Sequence, residues 1–253
     1  MKKRVPIKNS FRFGWETFKK NPLSWAGVTA LVFIPNLLIS LMGGQEPNAA
    51  ITLLSFILTF ASVGVMLGII YISFKAVRGE EVIFSDIKEG FDIKFLRAIG
   101  AQILYSIMIL IPAVLFIVGL VTVGMAGFSA MFGTGELIQI PLGIAFITLF
   151  IGITLLVYLT LRYMFYTYAI AGDNAGIIES LKRSAKITKG AKVSLFIFMI
   201  VSALVSLLGA LVILVGLLAA IPVVTLATAY VYEFLATGVE KVSEESSRAP
   251  SIT

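Results

Sequence analysis

The sequence predicts an all-α fold: a polytopic membrane helix bundle with about six transmembrane helices and three amphipathic interfacial elbow helices. Three observations lead there. The chain of 253 residues is 58% hydrophobic and 13% charged, whereas soluble domains carry about a quarter charged residues. Its apolar stretches are long enough to cross a bilayer. All but one of its basic residues fall outside those stretches, in alternate polar segments.

The first 22 residues are basic, and the apolar stretch Leu23–Met42 follows them. The length of that stretch, and the lack of a small-x-small pattern before Gly43-Gly44-Gln45, mark a retained first span rather than a signal peptide. The second span is expected from about Ala50 to Phe74 and the third from about Ala98 to Val121. Residues 122–140 read as a Gly-rich loop. The fourth span is expected from near Pro141 to around Ala169. From Val193 to Tyr232 the chain carries no charge for 40 residues. One helix of that length would be ~60 Å long, twice the ~30 Å hydrocarbon layer. It must fold back as two spans, with Gly209 and Gly216 bracketing the turn because Gly most easily adopts reversal dihedrals. Residues 240–253 form a polar tail, expected to be disordered. No polar stretch could build its own core, so residues 1–239 form one transmembrane domain.

Of the 20 Lys and Arg residues, 7 lie in 1–22, 5 in 75–97, 5 in 182–192 and 2 in 241–248; the last is Arg162. The segments 43–49, 122–140 and 209–216 carry none. The positive-inside bias then predicts a multi-pass protein of the cell (plasma or inner) membrane with both termini cytoplasmic. Topology accounts for the net charge of +6, so no nucleic-acid partner is expected.

A weak repeat of roughly 80 residues divides the domain into three units, about 8–74, 84–169 and 175–236. Each is an elbow followed by a hairpin of two spans. Phe11, Trp15 and Phe18 share one helical face in the first elbow; Phe84, Ile87, Phe91 and Phe95 share one in the second. The pairs Gly14-Trp15 and Gly90-Phe91 sit at matching places. The third elbow has a softer face of Ile177, Leu181, Ser184, Ala185 and Thr188, opposed by Lys182, Arg183, Lys186 and Lys189. Such segments belong at a membrane interface. The bland reading makes them anchors for the spans. The functional reading makes Trp15, Phe91, Lys182, Arg183, Lys186 and Lys189 a surface for lipid headgroups.

Within the spans, Pro35, Pro112 and Pro222 are read as packing features, since Pro is common in membrane helices. Thr52, Ser55, Thr59 and Ser62 form a polar stripe, either a packing face or a solute path. Gly64 and Gly68 extend it as a G-x-x-x-G. Arg162 and Glu233 are the charged residues well inside spans, and each lies near the same end of an even-numbered span. They are expected to pair, directly or through Tyr166 or Tyr230, because a lone charge in the hydrocarbon margin is costly. The alternative has Arg162 meeting headgroups, Asp173 or Glu179.

The chain contains no Cys and no His. Imidazole bases, thiol nucleophiles and Cys/His metal sites are therefore excluded. No catalytic residue, cofactor or metal is expected.

The segments "LRYMFYTYAIAGDNAGIIESLKRSAKITKGAKVSLF" (161–196), "LLAAIPVVTLATAYVYEFL" (217–235) and "FKAVRGEEVIFSDIKEGFD" (74–92) carry a resemblance. They resemble a large group of six-span membrane proteins of unknown function, including the membrane domain attached to some glycerophosphoryl diester phosphodiesterases. The resemblance implies no catalytic residues here, since a separate soluble domain is taken to do that chemistry. It implies a role near lipid metabolism or envelope organisation. The expected function is that of a non-enzymatic integral membrane protein binding membrane lipids or another membrane protein. The alternative is a small-solute or lipid transporter.

Overall fold

The computed structural model of the chain describes residues 4–42, 49–132 and 142–237. Among them are nine α-helices, one 3-10 segment and no strand. Helix α1 is Ile7–Lys20, α2 Pro22–Met42 and α3 Ala49–Val77; the 3-10 segment is Phe84–Phe91. Then come α4 (Ile93–Phe132), α5 (Leu142–Tyr163), α6 (Tyr166–Asp173), α7 (Ile177–Ile187), α8 (Lys192–Leu211) and α9 (Ile213–Thr237). The expected loop at 43–48, most of the one ending at Ile140, and the polar tail lie outside the described residues.

Five helical stretches are long and apolar enough to cross a membrane: 49–77, 94–129, 142–173, 192–211 and 216–237. The remaining predicted span corresponds to α2. Hairpin connectivity collects the described charged residues at one end of the bundle. The opposite helix ends, at Met42, Ala49, Phe132, Leu142, Leu211 and Ile213, carry none. The described residues thus form a membrane-embedded helix bundle with one charged end and one end whose helix termini are apolar.

The core sits toward the charged end. There α3 is buried from Gly64 onward, α6 almost throughout, and α9 from Ala220. Phe74 of α3, Tyr168 of α6 and Tyr232 of α9 meet with ring centroids 5.4 to 6.4 Å apart. Helices α2, α4 and α8 pack around this centre. Away from it, large apolar residues such as Phe56, Ile111, Phe150 and Leu208 face outward, as lipid-facing residues do.

Each predicted elbow docks on a central span through small residues. In α1, the position where Gly14 would carry a Cβ lies 2.5 Å from the Val223 carbonyl oxygen of α9. In the 3-10 segment, the same position at Gly90 is 2.1 Å from the Gly64 oxygen and 2.4 Å from the Gly68 nitrogen of α3. The G-x-x-x-G of α3 is therefore the seat of the second elbow, and Phe91 covers Gly64. In α7, Ser184 and Thr188 approach the Arg162 carbonyl of α5. Each elbow thus lies on the last span of the unit before it, and the first closes the ring on the last.

Several boundaries differ from expectation. The segment from Thr122 continues α4 to Phe132, making it 40 residues long. Gly124 and Gly127 have open space around them, and the Thr122 hydroxyl bonds back to Val118 and Gly119, so nothing there ends the helix. The second elbow is a 3-10 turn, because Asp92 adopts an extended backbone that separates it from α4. The fifth and sixth spans turn at Val212, between Gly209 and Gly216 as expected, but neither glycine takes a positive φ there. Gly209 and Gly216 instead let α8 and α9 touch: a Cβ on Gly216 would lie 2.2 Å from the Gly209 oxygen. Pro112 and Pro222 sit inside continuous helices. In the polar stripe, the Ser55 and Ser62 hydroxyls return to carbonyls of their own helix.

These close approaches make a direct test. Gly90→Ala forces a methyl group into the backbone of α3 and is expected to cost about 1–3 kcal/mol, as overpacking does. Gly27→Ala, in α2 with nothing within 4 Å, is expected to be neutral or slightly stabilising. Thermal unfolding of both variants in detergent checks this; equal midpoints would contradict the docking.

Candidate functional site

The charged end is built from the last turns of the central helices. Helix α3 stops because Gly79 takes a left-handed backbone (φ 73°), and its terminal carbonyls accept from Gly79 and Glu80. This holds Arg78 at the rim. Helix α6 stops at Asn174, also left-handed (φ 54°), which leaves Asp173 as its last residue. The Asn174 carbonyl and side-chain oxygens both accept from Arg97 Nη1 at 2.9 Å, tying α4 to this turn. Helix α7 begins with Glu179 accepting from the Gly176 N–H at 3.2 Å, a helix N-terminal cap.

These termini assemble a charged crown. Asp173 receives Arg183 Nη2 at 2.8 Å and Arg78 Nη2 at 3.6 Å. The Tyr232 hydroxyl donates to the same carboxylate and accepts from Arg183 Nε at 3.0 Å. Arg78 also grips Glu233 with two nitrogens, at 3.1 and 3.4 Å. Side-chain exposure is 18% for Asp173 and 15% for Glu233, so the carboxylates are well inside. The Arg78 guanidinium lies 5.2 Å from the Phe74 ring centroid, a cation–π contact. Burial pulls the Arg78 pKa down, but the Glu233 hydrogen bond and the charges of Glu233 and Asp173 outweigh it and leave the pKa raised. Arg183 behaves likewise: desolvation lowers it, while Tyr232 and Asp173 raise it further.

Chemically the crown is a closed account: two guanidinium groups face two carboxylates. Neither carboxylate is left as a free base. Among the described residues, no three acidic side chains converge as metal ligands would.

Beside the crown the fourth span breaks. Met164 and Phe165 separate α5 from α6, which frees backbone groups that need partners. Helix α7 supplies them. Ser184 Oγ accepts from the Phe165 N–H at 3.1 Å and donates to the Arg162 carbonyl at 3.0 Å. Thr188 donates to the same carbonyl at 3.2 Å.

The Arg162 side chain points elsewhere. Its Nη1 donates to the Tyr158 hydroxyl at 2.9 Å, and its guanidinium carbon lies 5.6 Å from the Tyr163 ring centroid. Lys192 reaches the same phenol, with Nζ 3.8 Å from the Tyr158 centroid. On another face, Gln102, Ile103, Ser106, Ile107 and Leu110 of α4 line a shallow, open depression. The Tyr166 hydroxyl donates to Gln102 at its edge.

The sequence-predicted residues are distributed as follows. Trp15 and Phe91 are half exposed, Trp15 stacked on Phe18 and Phe91 beside Phe95. Lys182, Lys186 and Lys189 are exposed. Arg183 is not available to a headgroup in the same way, because Asp173 and Tyr232 hold it. Arg162 and Glu233 do not pair: Glu233 bonds to Arg78, and Arg162 bonds to Tyr158. Neither Tyr166 nor Tyr230 bridges them. Equal depth along two spans left their lateral positions open, and Arg78 stands nearer to Glu233. Arg78 and Tyr232 are absent from the expected site residues, and Asp173 enters only as an alternative partner for Arg162. Their signal was weak but present: Arg78 and Asp173 each follow an apolar span directly, with complementary charge.

Residues 5–244 match the family model described as a domain of unknown function, DUF7847. Comparison with curated proteins and with solved structures returns no match.

A double-mutant cycle tests the crown. Arg78→Leu is expected to cost about 1.5–3 kcal/mol, the scale of hydrogen bonds to charged groups. Its effect should couple to Glu233→Leu by about 0.5–3 kcal/mol. Arg162→Leu and Glu233→Leu should add within about 0.5 kcal/mol. Denaturant unfolding in detergent micelles supplies the four corners of each cycle.

Proposed function

We propose that the chain, which belongs to the DUF7847 family, is a non-enzymatic integral protein of the cell membrane that binds anionic lipid, with its charged end and both termini on the cytoplasmic side. One observation carries this reading. Helix α7 holds Lys182, Lys186 and Lys189 outward, and none of the three has a carboxylate partner among the described residues. They stand at the rim of an outward-facing apolar wall. Cations unpaired at that boundary favour anionic headgroups by about 1 kcal/mol each. The half-exposed rings of Trp15 and Phe91 suit the same boundary, where aromatic side chains concentrate.

The elbows then act as the interfacial part of a scaffold, and the crown holds the spans that carry them. The resemblance to membrane domains attached to glycerophosphoryl diester phosphodiesterases supports a place near lipid metabolism, by analogy. The transporter reading finds less support. The freed backbone at the α5–α6 break is filled by Ser184 and Thr188, not left to line a water path, and the α4 depression is shallow and open.

Purification with native lipid followed by mass spectrometry tests the reading. Anionic lipid should be enriched over the bulk membrane. Lys182→Gln, Lys186→Gln and Lys189→Gln together should cut vesicle binding preference for anionic over zwitterionic lipid. Co-purified lipid that mirrors the bulk composition, or solute flux in proteoliposomes, would overturn it.

Orientation has its own test, made clean by the absence of native Cys. Met131→Cys, at the apolar end, should react with an impermeant thiol reagent added to intact cells. Lys88→Cys, at the charged end, should react only after lysis. The reverse pattern would invert the topology.

A further inference from the structure

We propose that Arg162 and Lys192, with Tyr158 and Tyr163, form a discrete binding site for the phosphate of an anionic membrane phospholipid. The inference rests on the reading of the chain as a lipid-binding membrane protein and adds a specific site to it.

Charge balance is the first argument. The Arg162 guanidinium carbon and Lys192 Nζ both lie within 6 Å of the Tyr158 ring centroid, at 5.9 and 3.8 Å. Two like charges held at one phenol repel, and an anion between them would turn that cost into attraction. Among the described residues, no carboxylate does so. The described acids C-terminal to Arg97 are Asp173, Glu179 and Glu233. Asp173 is bound by Arg183, Tyr232 and Arg78; Glu233 is bound by Arg78; Glu179 caps α7. The crown is electrically balanced, whereas this cluster is wholly cationic.

The donors are also set for an oxygen-rich ligand. Arg162 is only half buried, and its outer nitrogens, not the enclosed Nε, are the donors a phosphate oxygen can reach. The backbone beneath it is fixed, because Ser184 and Thr188 hold the Arg162 carbonyl. Guanidinium presents a fork of donors that matches phosphate oxygens. Lys192 adds a mobile ammonium at the N-terminus of α8, where the helix dipole also favours an anion.

Position selects a phospholipid over a soluble phosphate. Helix α5 runs toward the charged end and α8 runs away from it, so both cations stand at the top of their helices. Toward the apolar end, the same helices expose Ile151 and Leu155 on α5, eleven and seven residues before Arg162, and Phe196 on α8, one turn after Lys192. That strip offers acyl chains a surface continuous with the phosphate donors.

Native mass spectrometry of the purified full chain tests the site, using dioleoylphosphatidylglycerol and dioleoylphosphatidylcholine as probes. The wild type should retain one tightly held phosphatidylglycerol. The double variant Arg162→Gln/Lys192→Gln should lose about tenfold or more in affinity for it, equivalent to one charge-assisted hydrogen bond. Phosphatidylcholine binding should not change. The single variant Lys192→Gln, which leaves Arg162 in place, should weaken retention in the same direction and guards against misfolding of the double variant. The triple variant Lys182→Gln/Lys186→Gln/Lys189→Gln should keep the tight lipid. Undiminished retention by the double and single variants would overturn this site and leave the lipid-binding reading standing. Displacement by inorganic phosphate as effective as by phosphatidylglycerol would overturn the lipid assignment. Failure of the wild type to prefer the anionic lipid would remove both.

Discussion

The carboxylate of Asp173 is the contact on which the charged end depends. Among the described residues it is the group that Arg78 just past α3, Arg183 of α7 and Tyr232 of α9 all meet. An acid this enclosed would be strongly disfavoured alone, and replacing such a network with apolar residues can be neutral or even stabilising. Its worth lies in direction. A hydrophobic centre of Phe74, Tyr168 and Tyr232 would tolerate some rotation of the three helices about one another. A carboxylate shared by two guanidinium groups and a phenol tolerates much less. The register of the central spans follows from it, and with that register goes the placement of every elbow.

The elbows obey a second constraint, the distance between backbones. At Gly14 and Gly90 no side chain intervenes between the elbow and the helix that receives it. At Ser184 and Thr188 the intervening atoms are hydroxyls that replace hydrogen bonds the fourth span lost at its break. All three arrangements bring an elbow within reach of a backbone carbonyl on a central span. The third is the most demanding, since it stabilises an interruption in a membrane helix. It is also the arrangement that aims Arg162 away from the crown.

Much of this was legible in the sequence. The helical class, the hairpin order and the gathering of charge at one end follow from hydropathy and charge spacing. The matched Gly14-Trp15 and Gly90-Phe91 pairs were visible as a repeat, although their physical role, contact with Val223 and Gly64, needed coordinates. What hydropathy cannot register is lateral position. It put Arg162 and Glu233 at similar depth, and they proved to serve different neighbours. It also treated Gly124 and Gly127 as loop residues, because a one-dimensional pattern does not reveal that an apolar setting lets glycine stay helical. The break at Met164–Phe165 left no hydropathy signal at all, being satisfied by hydroxyls twenty residues further on.

The length of α4 has a consequence for the bilayer itself. From Ala98 to Phe132 the helix carries no charge, a stretch of roughly 52 Å at 1.5 Å per residue. Even at a tilt of about 40°, the upper end of what spanning helices adopt, its height remains roughly 40 Å against a hydrocarbon layer of about 30 Å. Helix α5 cannot shorten it, because Gly119 and Gly152 lock the two into a close-packed pair. A bilayer of that thickness must either thicken around the far end of α4 or leave that end standing in the aqueous boundary.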